Sequence, residues 1–307
     1  MMGEPAQRQR RACWRVVSDL DHTLIEAGGE SLLAGDCLRQ LHQSGIPTLL
    51  ASSKTFAEMV AFQVRAELAP QPFLFENGCG IGWPRQCWPA AAAAEPKLVL
   101  GDYGAIVRAA DPARLRPLLQ RWRSEAGLRF SLLEELSFDQ IHQLIGLEPA
   151  MARLALQRLA SLPLVWHPDD SLDWFQQQLA GEGLRAVSGG RLLHIAPPFD
   201  KAEALDQVLA WLGGGAASLR LLACGDSEND RSLLERADLA LVFHPAAGTP
   251  LTLAPRRRLA EADEPSAPPQ AGQRLERQVI AGGPSRWLEA VLAALADVGA
   301  VAGDLSR

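Results

Sequence analysis

The sequence predicts an α/β protein: a Rossmann-like parallel sheet core carrying an inserted α+β section. Three observations point there. Short apolar runs alternate with helical stretches in the first and last thirds of the chain, the pattern of strand–helix–strand units. Each run ends abruptly in a polar cluster, as buried parallel strands do where an open sheet binds its ligand. The middle of the chain, from about residue 98 to 193, has an alternation of its own and closes on a hairpin signal. The 307 residues are enough for one large or two medium domains with real cores.

Taken in order, residues 1–12 are polar and basic, read as disordered, and lack the apolar stretch of a secretory signal. Residues 14–20 are the first strand, and 21–34 a loop or flap with Gly28-Gly29 as a turn. Residues 36–44 have helical spacing and stop at Gly45, a C-cap residue. Residues 46–51 form a second strand. A helix over 56–68 follows, with Thr55 and Glu58 in capping-box spacing. Pro70 and Pro72 break it before a strand at 73–75 and a turn at Glu76-Asn77-Gly78. The proline- and alanine-rich stretch 83–97 reads as a linker. Within the insert, helices are expected over 112–126, 138–145, 149–160 and 172–181. Strands are expected at 130–132, 164–166, 184–187 and 192–195. The core resumes with a helix at 201–212, strands at 219–223 and 240–243, and a final helix at 287–295. The expected organisation is a discontinuous core, 13–84 and 195–302, with a cap over 85–194 and a flexible loop at 254–283.

Composition narrows the partners. A formal charge of −6 argues against a nucleic-acid surface, and no apolar stretch is long enough for a bilayer. The five cysteines are odd in number and lack metal-ligand spacing, which suits free thiols in a reducing cytoplasm.

The chemistry lies in four polar clusters that follow strand-like runs: Asp19/Asp21, Ser52 to Thr55, Asp200-Lys201 and Asp226 to Asp230. Two carboxylates one residue apart are costly unless a metal ion, a protein cation or a shared proton holds them. Phosphoryl transfer uses all four clusters. Asp19 suits a nucleophile and Asp21 an acid/base. Ser52 and Lys201 suit contacts to phosphoryl oxygens. Asp19, Asp21, Asp226, Asn229 and Asp230 form a candidate oxygen-ligand set for Mg²⁺.

DLDHT, ASS, DK and GDSEND, in this order, resemble the four motifs of the haloacid dehalogenase-like phosphohydrolases. His22 stands where the first motif usually has glycine. The resemblance implies an HAD-like core with a Cof-type α/β cap inserted between the second and third motifs. SSKTFAEM, FLFENGCGI, IGLEPAMARLALQR, SGGRLLHIAPPFDKAEAL and GGPSRW, over about residues 14–295, further resemble the mannosyl-3-phosphoglycerate phosphatase family. That implies a Mg²⁺-dependent cytoplasmic enzyme of compatible-solute synthesis. Its substrate would be a small phosphorylated sugar derivative, mannosyl- or glucosyl-3-phosphoglycerate. Ser53, Lys54, Thr55, Glu76, Asn77 and Arg191 are then candidate substrate contacts, with Arg158, Ser161, Ser188 and His194 behind them. Leu159 and Leu162 stand where relatives tend to be acidic, which bears on the choice of sugar. The alternatives are a sucrose-phosphate or trehalose-phosphate type of phosphatase, a phosphomutase of the same fold, and a catalytically silent binding protein.

Overall fold

A computed structural model describes residues 13–26, 31–92, 95–109, 111–167, 172–189, 191–213, 219–244, 249–253 and 277–301. In chain order the first elements are β1 (Cys13–Ser18), α1 (Ser31–Gln43), β2 (Thr48–Ala51), α2 (Phe56–Arg65) and β3 (Phe73–Phe75). Next come β4 (Gly80–Pro84), β5 (Leu98–Leu100), β6 (Tyr103–Val107), α3 (Leu115–Glu125), β7 (Phe130–Leu132), α4 (Phe138–Ile145) and α5 (Pro149–Ala155). They are followed by β8 (Leu162–Trp166), α6 (Leu172–Gly181), β9 (Arg185–Gly189), β10 (Leu192–Ala196) and α7 (Lys201–Trp211). The last are β11 (Leu219–Gly225), α8 (Arg231–Arg236), β12 (Leu239–His244), β13 (Arg277–Ala281) and α9 (Trp287–Asp297).

One nine-stranded sheet runs β13-β12-β11-β1-β2-β3-β4-β6-β5. Pairing is parallel from β13 through β3 and antiparallel from β3 onward to β5. Strand β1 lies between β11 and β2, so the chain leaves it in one direction along the sheet and returns on its other side. That is the switch point at which open α/β sheets bind ligands. Alternation along β1 feeds two cores. Val16 packs into the layer containing Leu38 and Leu41 of α1, Met59 of α2 and Trp287 of α9. Val17 packs into the opposite layer, with Leu205 and Val208 of α7 and Leu233 of α8.

A second, four-stranded antiparallel sheet runs β7-β8-β10-β9. On one face Leu119 and Trp122 of α3 and Phe175 and Leu179 of α6 cover Phe130, Leu164, Leu193 and Ile195. Trp166 stacks on Phe175 with ring centroids 4.7 Å apart, which makes an aromatic core for this unit. On the other face Ile141 of α4 and Ala152 of α5 pack with Leu192. That second face is turned toward the nine-stranded sheet.

The chain has the α/β fold expected, with three shifts. The expected cap boundary at residue 85 moves: β5 and β6 continue the core sheet through β4, so the core extends to Val107. The linker expected over 83–97 correspondingly begins inside β4 and ends short of β5. A loop over 254–283 is replaced, at its end, by β13, which pairs in parallel with β12; residues 254–276, like 1–12, lie outside the described residues. Helix α1 starts at Ser31, inside the flap expected over 21–34, and the turn expected at Gly28-Gly29 lies outside the described residues. Among the described residues no helix is long and apolar enough to cross a membrane. All five cysteines are free, and Cys13 is exposed while Cys79 and Cys224 are buried.

Candidate active site

The end of β1 is built from below. Trp287 Nε1 of α9 donates to Ser18 Oγ at 3.0 Å, and Ser18 Oγ donates to the Asp19 carbonyl at 2.7 Å. The Asp19 amide continues the β1–β11 ladder by donating to the Cys224 carbonyl at 3.0 Å. The next turn is closed by Leu24 and Ile25 amides on the Leu20 carbonyl, 2.8 and 2.9 Å. His22 takes φ 60 within it, a left-handed conformation that glycine adopts without strain.

Helix α7 brings Lys201 to this point. Asp200 caps the helix by accepting the Glu203 amide at 2.9 Å, which places Lys201 at its first position. Lys201 Nζ is fully buried and lies 2.6 Å from both Asp19 Oδ1 and Asp230 Oδ1. The other oxygen of Asp230 accepts the Asp226 and Ser227 amides at 3.1 and 3.2 Å. Asp230 therefore shapes the loop after β11 and anchors the lysine at once. Thr23 Oγ1 donates to Asp226 Oδ1 at 3.5 Å.

The electrostatics of this cluster are unbalanced. Oxygens of Asp19, Asp226 and Asp230 all lie within 4.8 Å of one another, and one ammonium faces them. Burial, then the charge of Asp230, push the Asp19 carboxyl well above its ordinary range, and Lys201 offsets only part of this. Burial and Asp230 push Asp226 up to about 7. Burial works against the charge of Lys201, yet Asp19 and Asp230 outweigh it and raise its pKa. The buried Asp21 Oδ1 has no hydrogen-bond partner. The three clustered carboxylates form a hard, anionic donor set that fits a divalent cation such as Mg²⁺.

Asp21 Oδ2 is 2.8 Å from Lys54 Nζ. Burial disfavours the charge on Lys54, but Asp21 and Glu58 outweigh burial and hold its pKa above the ordinary lysine value. A cleft of about 470 Å³ opens over these groups between the core and the second face of the cap. Asp19, Asp21, Ser53, Lys54, Asp226 and Asn229 form its core wall, and Arg158, Arg191, His194 and residues 142–147 at the end of α4 form its cap wall.

Not every residue expected to contact substrate lies on that wall. Thr55 is fully buried; it caps α2 through the Glu58 amide, and its hydroxyl donates to the Leu154 carbonyl at 2.9 Å. Glu76 is fully buried and accepts three hydrogen bonds from residues 159–161. Asn77 Oδ1 accepts from Asn229 Nδ2 at 3.0 Å. These three join the site's loops to one another and do not line the cleft. Ser161 is engaged by Glu76, and Ser188 stands beside the lining residue Gly189. Ser52 is buried and accepts the Lys54 amide at 3.2 Å. Arg191 lines the cleft, and its Nη1 donates to the Leu144 carbonyl at 3.0 Å.

Sequence reasoning missed the 142–147 segment, the last turn of α4 and the two residues after it. Its one local signal is Gly146, which ends α4 at φ 73; nothing in the residue pattern says that this helix end faces the core. His194 is buried in the cleft wall with Nδ1 unpartnered. Burial, then the charges of Arg158 and Lys201, hold its imidazole down to about 3.

Solved structures share this architecture. One is a phosphatase of the haloalkanoate (HAD) enzyme superfamily from Bacteroides thetaiotaomicron, matched over 98% of this chain and 100% of that one, with 16% identity and a TM-score of 0.58. The chain has the HAD-like fold. A Thermoplasma acidophilum protein matches over 78% of this chain and 87% of its own at 16% identity, TM-score 0.54. A haloacid dehalogenase-like hydrolase from B. subtilis matches over 75% and 88% at 16% identity, TM-score 0.50. No family model matches the sequence. The HAD-like fold comprises the parallel core and the inserted cap together, and the buried acidic cluster lies at the core's switch point.

Proposed function

We propose that this chain is a Mg²⁺-dependent phosphatase of small phosphorylated sugar derivatives, with a glycosyl-3-phosphoglycerate as the favoured substrate. The observation that carries this reading is the cluster of Asp19, Asp226, Asp230 and Lys201 at the end of β1, with Asp21 in the cleft beside it. It is a nucleophile-bearing anionic centre with one fixed cation, at the floor of a cleft of ligand size.

In the proposed reaction an Asp19 carboxylate oxygen attacks phosphorus and the P–O bond to the sugar or glycerate breaks. Lys201, bound to Asp19 Oδ1, fixes the rotamer of the nucleophile and leaves its other oxygen for the attack. Asp21 gives its proton to the departing alkoxide. The oxygen Oδ1, which accepts no hydrogen bond, is the atom suited to hold that proton. Asp21 then takes a proton from water as the water attacks the aspartyl-phosphate, which releases phosphate and restores Asp19. Lys54 orients Asp21 through Oδ2. Ser53, on the cleft wall, and Ser52, buried behind it at the end of β2, would donate to phosphoryl oxygens. Asp19, Asp226 and Asp230 would hold Mg²⁺, with Asp21 and Asn229 beside them. When bound, Mg²⁺ supplies charge to the transferring phosphoryl group. Arg158 and Arg191 on the cap wall suit an anionic substrate tail such as the carboxylate of glycerate.

The test is phosphate release with Mg²⁺ from a panel of sugar phosphates and glycosyl-3-phosphoglycerates, ranked by kcat/KM. Preference of at least tenfold for a glycosyl-3-phosphoglycerate is expected. Asp19→Asn is expected to lose at least a thousandfold in kcat. Equal rates across the panel would remove the glycosyl-phosphoglycerate assignment, preference for another sugar phosphate would move it there, and absence of release from every ester would sink the phosphatase reading.

A further inference from the structure

One short turn meets three loops of the core side of the site and one segment of the cap. Glu76, Asn77 and Gly78 have φ of 46, 57 and 87, three left-handed residues in succession. Non-glycine residues hold that conformation only where the surroundings compensate its strain. Here they do. The Glu76 amide donates to the Lys54 carbonyl at 2.8 Å, and the Asn77 amide to the Ser52 carbonyl at 3.0 Å. Asn77 accepts from Asn229 on the loop after β11. Gly78 lies against the Asp200 carbonyl so closely that a Cβ there would collide with it. The turn thus touches the loops carrying Lys54, Lys201 and Asp226.

Its fourth contact is with the cap. Glu76 is fully buried, and among the described residues its carboxylate accepts its hydrogen bonds from that side. The Leu159 amide reaches Oε1 at 2.7 Å, the Ala160 amide reaches Oε2 at 3.1 Å, and Ser161 Oγ reaches Oε2 at 2.6 Å. Three donors on one buried carboxylate make a strong, directional clamp, because each bond is charge-assisted and no water competes. A side-chain amide in its place would set a donor against donors.

We infer that Glu76 is a positioning residue: it clamps cap segment 159–161 to the core and thereby sets the substrate-facing wall of the cap. The residue just before the clamp is Arg158, which lines the cleft and donates through Nη1 to the Ser53 carbonyl at 2.8 Å. The residue just after it opens β8, whose Pro163 pairs with His194 of β10. The Glu76 carboxylate therefore holds the backbone on which Arg158 and His194 face Ser53 and Lys54, alongside the direct bond from Arg158 to Ser53. Thr55 to Leu154 adds a single bond nearby; the clamp at Glu76 has three. The clamp stands on this geometry, whereas its effect on turnover rests on the phosphatase reading.

The experiment uses the full chain with Glu76→Gln and Ser161→Ala, read by amide hydrogen exchange and by kinetics. In Glu76→Gln the Leu159 and Ala160 amides are expected to exchange at least tenfold faster, with protection of β1 and β11 unchanged. On the best ester of the panel KM is expected to rise at least fivefold, while kcat on p-nitrophenyl phosphate changes less than threefold. Glu76→Asp should recover part of the KM. Ser161→Ala removes only the 2.6 Å bond and should accelerate the same amides by a smaller factor. Unchanged exchange at residues 159 and 160 overturns the clamp; if Glu76→Gln does not fold, unchanged exchange in Ser161→Ala does so. Faster exchange with an unchanged KM overturns its role in setting the wall. A wild type that releases no phosphate sinks the proposed function, and the exchange data still decide the clamp.

Discussion

Lys201 is a buried ammonium held by two buried carboxylates, and removing one partner of such a set leaves uncompensated charge. Lys201→Met is expected to lose roughly 3–5 kcal/mol of stability, read from urea midpoints, because Asp19 and Asp230 are left facing each other. Added Mg²⁺ should recover part of that loss; no recovery would argue against a cation at this cluster. His194 gives a pH signature. The unfolded chain takes up a proton near the ordinary histidine pKa, while the folded chain refuses it until about 3. The folded state therefore binds fewer protons between those values, and stability falls as pH drops from about 6.5 to about 3, by about 1.4 kcal/mol per unit. His194→Leu should flatten the acid limb in that window, and an unchanged limb would mean that the imidazole is charged in the fold. The acidic motif residues were legible as a set because each ends an apolar run. The role of Glu76 was not, because a buried carboxylate whose partners lie some eighty positions on leaves no local pattern.

At the scale of elements, the turn after β3 is the least replaceable piece. Gly78→Ala meets both a left-handed φ and the Asp200 carbonyl. The φ alone costs roughly 1–2 kcal/mol, and the collision adds to it by displacing the first turn of α7. A drop in melting temperature is expected together with a fall in kcat, since Lys201 starts that helix. Retained activity at wild-type stability would show that the turn tolerates a side chain. Most strands and helices of the core could be read from their periodicity and caps: Thr55 with Glu58 forms the capping box that its spacing predicted. Where the reading failed, pairing decided. Leu98–Leu100 and Tyr103–Val107 are too short to announce a sheet, and only hydrogen bonding to β4 assigns them to the core. Strand β13 is likewise an edge strand defined by β12.

For the whole molecule, the charge imbalance at the switch point predicts ligand-linked stability. Mg²⁺ at a hundred times its dissociation constant should raise stability by about 2.7 kcal/mol, seen as a higher melting temperature that EDTA reverses. Asp226→Asn is expected to abolish most of that gain, and an undiminished gain would place the ion elsewhere. The cleft itself was not legible in the sequence. It exists only because the α4–α5 face of the cap lies over β1 and β11, a relation between segments that no short-range pattern carries.

The neighbours of β1 also set an order of assembly. On one side Val16 pairs with Thr48, but on the other Cys13 pairs with Leu219. The cap sheet is complete at Ala196, before that second neighbour exists. A chain growing from its N-terminus can close the aromatic core around Trp122, Trp166 and Phe175 while Asp19 still lacks Lys201 and Asp226. Contacts so distant in sequence form late and slowly. Burial of Trp166 is therefore expected to precede that of Trp14 and Trp287 in refolding. On the proposed reading, Asp19 is expected to gain Lys201 and Asp226 only after the cap sheet has closed, when α7 and β11 join β1.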